Sequence, residues 1–197
     1  MKMKRIIIPL LAVIAAGSIL AYASIDSDEK NNTSDLAMAA TSTSGAIYSV
    51  ESVEKPAKGS APDFTWKDEK GKSVSFSEYS KNKVVFLNFW GTWCPPCRKE
   101  IPDIVRISKE LKDKDFVIMG VALERGNSPE DKLKKYMNSQ GITYHNFLQN
   151  ERELSQAYGG ITSVPTTFII NKEGQIVEKI VGMRSYEAFM TSINKVL

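Results

Sequence analysis

Cys94 and Cys97 are the only cysteines in the 197-residue chain, and two prolines separate them. Two thiols at that spacing can close a small disulfide and open it again. A disulfide that only staples a fold gains more from joining distant segments, because closing a longer loop constrains the unfolded chain more. The loop here is minimal, so the pair points to redox chemistry rather than stabilisation. Two other readings stand beside it. One is an inert disulfide. The other is a structural metal site, which for zinc needs about four ligands, whereas the chain offers two cysteines and a single histidine, His145.

The neighbouring residues must position the pair. Lys83 to Trp90 is an apolar run rich in β-branched and aromatic residues, which predicts a buried strand, and Gly91-Thr92 breaks it. After the cysteines, Ile101, Ile104, Val105, Ser108 and Leu111 continue from Cys97 at helical spacing. Cys94 therefore falls on a strand-to-helix turn, at the helix N-terminus. Unpaired N–H groups and the helix dipole favour negative charge there, and a thiolate is the attacking species in disulfide exchange. Cys97, one turn into the helix, is expected to be the more buried, resolving thiol. Pro96 lacks an N–H and suits a first helical turn.

Compositional features place the chain in a compartment. Lys2, Lys4 and Arg5 precede an apolar stretch from Ile6 to Leu20, and Ala21-Tyr22-Ala23 fits a cleavage site before Ser24. Residues 1–23 are thus expected to be a signal peptide or a membrane anchor, the stretch being short of the ~20 residues a spanning helix wants. No cysteine lies near that site to carry a lipid. Either reading puts the cysteines in a periplasmic or other extracytoplasmic space, where disulfides persist. Beyond this segment 23 basic residues face 23 acidic ones, a balance that gives no reason to expect nucleic acid as a partner.

Residues 24–55, poor in aromatics and rich in Ser, Thr, Asn and Ala, are expected to be a flexible linker, with Ile47, Tyr48, Val50 and Val53 able to add an edge strand. Residues 56–197 suit one domain. Phe64/Trp66 and Val74/Phe76 alternate with polar residues around Asp68-Glu69-Lys70-Gly71 and predict a β-hairpin. Strands are expected at 116–123, 144–148, 166–170 and 175–181. Helices are expected from a Ser128 N-cap to Gly141, over 152–158 and after a Ser185 cap. The alternation implies an α/β fold, with a mixed central sheet, helices on both faces and an added N-terminal hairpin.

Three motifs in order resemble the thioredoxin superfamily, and within it the TlpA/ResA-like extracytoplasmic thiol–disulfide oxidoreductases. They are Ala61-Pro62-Asp63-Phe64, the run from Phe86 through Cys94-Pro95-Pro96-Cys97 to Glu100, and Val164-Pro165-Thr166-Thr167-Phe168. The resemblance spans the whole domain and stops short of residues 1–60. It implies a thioredoxin-like fold, with Pro165 as a cis-proline facing the cysteines and Val164 presenting backbone to the substrate. Trp93 and Pro95 flank the same surface, and Pro102 matches the proline that kinks the active-site helix.

Two departures from the pattern matter. Asn88 stands where cytosolic thioredoxins carry a buried aspartate, and it cannot shuttle a proton. Glu100 matches a glutamate of the ResA-like group and is the candidate acid–base residue; the alternative is a solvated first-turn acid matched to the helix dipole. The second departure is Gly159-Gly160, one residue longer than the usual spacing to the cis-proline. His145, inside a predicted strand, is read as structural, and Glu124-Arg125 as a solvated loop pair although they could line a groove.

The expected function is disulfide exchange by Cys94 and Cys97, running as a reductant. The partners would be disulfide-containing or dithiol proteins, such as apocytochrome c, with a membrane thiol–electron donor. Pro95-Pro96 supplies no charge to stabilise the thiolate, and Glu100 would oppose it. No metal or organic cofactor is implied, and a monomer is expected. The alternatives are an oxidant or isomerase, and a non-catalytic module that holds copper for delivery.

Overall fold

The structure is a computed structural model that describes residues 45–56, 59–149 and 152–197, all of which belong to one unit, Thr43–Leu197. The expected targeting segment and linker residues 24–44 lie outside the described residues. Along the described chain run strands β1 (Ile47–Ser49), β2 (Ser52–Glu54), β3 (Asp63–Lys67) and β4 (Ser73–Ser75), then helix α1 (Phe76–Tyr79). Strand β5 (Val84–Trp90), helix α2 (Pro95–Glu110), strand β6 (Phe116–Ala122), helix α3 (Pro129–Gln140) and strand β7 (His145–Leu148) follow. Helix α4 (Glu153–Ala157), strands β8 (Thr166–Ile170) and β9 (Ile176–Val181), and helix α5 (Tyr186–Ile193) complete it.

Every residue of β5 is buried, as its apolar run, interrupted only by Asn88, requires of a strand covered on both faces. It lies inside a six-stranded mixed sheet of order β1-β7-β6-β5-β8-β9. β1, β7, β6 and β5 are mutually parallel, β8 pairs antiparallel with β5, and β9 pairs antiparallel with β8. Side chains of β5 alternate between two cores. Val84, Phe86 and Trp90 meet Ile101 and Ile104 of α2, Met137 of α3 and Phe189 of α5. Val85, Leu87 and Phe89 meet Phe64, Trp66, Phe76 and, from the α4 side, Leu154 and Tyr158. Each such side chain contributes about 1.5–3 kcal/mol on full burial, so the two cores fix β5, and with it the turn that follows.

Helix α2 carries Pro95 and Pro96 in its first turn, as proline there loses no intrahelical bond. It runs through Pro102 without ending. That residue is exposed, on the side of the helix away from the core.

Three elements differ from the sequence expectations. The end of the expected linker forms two strands: β1 is the edge strand that Ile47 and Tyr48 could add, paired with β7, and β2 joins β3 and β4 in a second, antiparallel sheet. Ile47 packs on the first core, and Tyr48 and Val53 pack on the second. The hairpin's second strand stops at Ser75, whose side chain caps α1 by accepting from the Glu78 N–H at 3.1 Å. Phe76 therefore reaches the core from a helix, stacked 5.1 Å from Phe64. Ser128 precedes α3 in a left-handed backbone conformation and makes no capping bond, although the helix does stop at Gly141.

Candidate active site at the Cys94–Cys97 disulfide

β5 delivers the chain to a turn closed by the Cys94 N–H donating to the Gly91 carbonyl at 3.1 Å. Cys94 is the N-cap of α2 and is joined to Cys97 in a disulfide with Cα atoms 5.3 Å apart. The Cys97 N–H donates to the Cys94 sulfur at 3.2 Å, so a free N-terminal donor of the helix points at the expected attacking atom. The expected contrast in exposure is slight: Cys94 is 2% exposed and Cys97 0%. What distinguishes them is the neighbour. The Cys94 sulfur lies 3.5 Å from the Val164 carbonyl oxygen, and the Val164–Pro165 bond is cis. The Pro165 carbonyl accepts from the Gly182 N–H at 2.8 Å, which ties this loop to the one leaving β9. The longer Gly159-Gly160 link is absorbed by left-handed backbone at both glycines.

Glu100 is not a solvated acid. It is 1% exposed, on the same buried helix face as Cys97 and Ile101. Its Oε1 accepts from Asn88 Nδ2 at 3.1 Å, and the same amide nitrogen donates to Thr167 Oγ1 at 3.0 Å. Among the described residues Glu100 Oε2 and Asn88 Oδ1 have no partner. Burial pushes the Glu100 carboxyl from its ordinary 4.5 up to about 7, against the opposing pull of the Asn88 bond and of Arg184. A carboxyl poised there can hold or release a proton near neutral pH.

A second set of contacts holds the turn. Thr92 donates its N–H to Glu124 Oε1 at 2.7 Å and its hydroxyl to Oε2 at 2.6 Å. The Trp93 indole donates to the Leu123 carbonyl at 2.7 Å, and the Arg125 guanidinium lies 3.6 Å from the ring centroid. Glu124, half-buried, and Arg125, exposed, are thus part of the site's wall. Both line a groove of about 660 Å³ that runs from Trp93 to Val164. Trp93 and Pro95 are exposed beside the disulfide.

Sequence reasoning missed the support beneath. The Trp90 indole donates to Asn146 Oδ1 at 2.9 Å, and Asn146 Nδ2 donates to the Tyr144 carbonyl at 3.1 Å. Gly120 makes room for this: a Cβ there would stand 2.1 Å from Asn146 Oδ1 and 2.9 Å from the Trp90 indole nitrogen. His145 packs between Tyr48 and Tyr79, with ring centroids 5.2 and 5.3 Å away, and burial lowers its pKa. Among the described residues no group of three or more His, Cys, Asp or Glu side chains is placed to hold a metal ion.

Comparison with known proteins extends this picture. The AhpC/TSA family model matches residues 57–179. The thiol–disulfide oxidoreductase ResA of Bacillus subtilis (strain 168) is 39% identical over 124 residues, 62% of this chain and 65% of that protein. ResA of Bacillus thuringiensis (strain Al Hakam) is 33% identical over 136 residues, 69% of this chain and 76% of its own. A thioredoxin-family thiol:disulfide interchange protein from Chlorobium tepidum TLS superposes with a TM-score of 0.60 at 37% identity, over 70% of this chain and 94% of that one. The fold is thioredoxin-like, and the proteins it acts on carry dithiols or disulfides. The chain belongs to the AhpC/TSA family and, within it, to the ResA-like thiol–disulfide oxidoreductases.

Proposed function

We propose that the protein is an extracytoplasmic reductant of protein disulfides that cycles Cys94 and Cys97 between dithiol and disulfide. The Cys94 thiolate attacks one sulfur of the partner's disulfide. The partner S–S bond breaks, a mixed disulfide forms, and one partner cysteine leaves and takes up a proton. Cys97 then attacks the Cys94 sulfur and releases the second partner cysteine, so two electrons and two protons pass to the partner.

In this reading Glu100 supplies and accepts protons, oriented by Asn88. Val164 and Pro165 hold the partner chain beside the Cys94 sulfur, flanked by Trp93 and Pro95. Apocytochrome c is the disulfide partner that the family resemblance suggests, and a membrane thiol–electron donor would restore the dithiol. The basic and apolar residues 1–23 support secretion or tethering to a membrane.

The observation that carries the direction is the buried Glu100 carboxyl on the same helix face as Cys97. A negative charge there raises the cysteine pKa, disfavours the thiolate and so favours the disulfide form, which makes the dithiol a better electron donor. The test is the reduction potential from equilibrium with dithiothreitol or glutathione. It should fall near the about −270 mV of thioredoxin, and Glu100→Gln should make it less negative while lowering the apparent thiol pKa. A value near about −120 mV, that of strong oxidants, would make the protein an oxidant instead.

A further inference from the structure

The groove beside Cys94 carries a charge pattern that disulfide exchange by itself does not require. Among the described residues its walls hold two guanidiniums, Arg125 and Arg152, and the carboxylate of Glu124. Each Glu124 oxygen accepts one bond from Thr92, which holds the carboxylate against the turn rather than against either guanidinium. The Arg125 guanidinium lies 3.6 Å from the centroid of the Trp93 ring, which its own indole bond to Leu123 fixes in place. A guanidinium held over an aromatic ring keeps N–H donors available to a planar anion. Among the described residues neither Arg125 nor Arg152 has a carboxylate within ion-pair distance.

The same sign continues around the disulfide. Arg98 and Lys99 follow Cys97 on the exposed side of α2. Arg184 stands two residues after Gly182, which bonds the Pro165 carbonyl. Among the described acids nearby, Glu100 is buried and interacts with Arg184, Asp103 accepts from the Tyr186 N–H at 3.1 Å, and Glu153 lines a neighbouring hollow with Val53 and Leu148. The chain beyond its first 23 residues has no net charge, so this clustering is a local asymmetry.

We propose that the groove selects partners by charge: it takes an extended segment bearing a carboxylate side chain close to its reactive cysteine, with Arg125 as the specificity-determining residue. This rests on the exchange reading above and names the class of segment that exchange prefers. The Val164 carbonyl beside the Cys94 sulfur sets where the partner's cysteine lies, and the groove leads from there to Arg125. A carboxylate a residue or two from that cysteine would meet the guanidinium edge in a charge-assisted bond. Positive charge around the sulfur would also speed encounter with acidic segments at low salt.

The test uses the full chain in its reduced form and three peptides that differ only in one residue beside the cysteine: Glu, Gln or Lys. Each cysteine is blocked as a mixed disulfide with 2-mercaptoethanol, and exchange is followed by stopped-flow tryptophan fluorescence. The rates should rank Glu, then Gln, then Lys, with about five- to tenfold between the first two at low ionic strength and less at high salt. Arg125→Gln should bring the Glu-to-Gln ratio towards one, and Arg125→Glu should invert the ranking. A wild-type ratio near one, or a ratio unchanged in Arg125→Gln, overturns the proposal.

If none of the three peptides exchanges, the redox reading itself fails; if all exchange without ranking, only the charge selection fails. Vesicles of phosphatidylglycerol and of phosphatidylcholine give the remaining arm. Arg125-dependent flotation with the anionic vesicles, without any peptide ranking, would assign the cations to a lipid surface and also overturn the proposal.

Discussion

Replacing Glu100 with glutamine should make the oxidised protein more stable at alkaline pH and leave it little changed at acid pH. Glutamine has the shape of the protonated side chain and keeps an oxygen to accept from Asn88 Nδ2, now 3.1 Å away. The folded carboxyl titrates at about 7 against an ordinary 4.5. Because the folded value is the higher, the neutral acid contributes fully below pH 4.5, and that contribution is lost as pH rises through 7. At 1.36 kcal/mol per pH unit, the buried charge costs roughly 3 kcal/mol at pH 8. For a domain of this size that corresponds to about 6–12 °C in Tm.

The assay is urea denaturation of wild type and Glu100→Gln at pH 5 and pH 8 with the disulfide closed, so that no thiol titrates. His145, whose neutral form burial favours, changes both proteins alike and cancels in the comparison. Because the unfolded carboxyl is already largely ionised at pH 5, the stability gap between variant and wild type should widen by about 2.5 kcal/mol from pH 5 to pH 8. Parallel pH profiles, or a variant less stable at pH 8, would refute the assignment of a buried, proton-holding Glu100.

Two further outcomes follow from the geometry. Cys94→Ser should abolish exchange with insulin or a model disulfide, whereas Cys97→Ser should accumulate mixed disulfides visible on non-reducing gels, because the Cys94 sulfur meets the partner beside Val164; turnover by Cys94→Ser would reverse the roles. Gly120→Ala should cost about 1–3 kcal/mol and shift tryptophan fluorescence, since its methyl would press to 2.1 Å from Asn146 Oδ1 and displace the Trp90 indole; a denaturation curve equal to wild type would show that the pair relaxes freely.

The parts of the molecule legible in its sequence are those whose signal is local. The apolar run of β5, the helical spacing from Cys97 and the Ser185 cap each carry their own pattern, and each reads correctly. The burial of Glu100 was open to the same reasoning: it falls three residues after Cys97 and four before Ile104, on the face those residues bury, but a charge at that position is easily taken for a solvated one. What could not be read depends on distant partners. Trp90 and Asn146 are 56 residues apart, and neither type signals that it will be half of a buried pair. Ile47 and Tyr48 allowed the edge strand β1, but β2 is three residues long, too short for alternation to show, and only the second sheet it joins makes it a strand. The clamp of Glu124 on Thr92 joins loops that follow neighbouring strands, which is knowledge of topology rather than of sequence.

The ends of the main sheet bear on which peptides the molecule keeps and which it lets go. Among the described residues the sheet finishes on β1 and β9. An open strand edge is an invitation to any extended chain. β1 offers three residues of backbone. β9 is longer, but its ladder slips at Ile169/Ile170 and Lys179 stands exposed between Val177 and Val181. Both borders are therefore poor templates for strand addition. A client captured there would be held away from the sulfurs and released slowly, so blunted borders protect turnover as well as solubility.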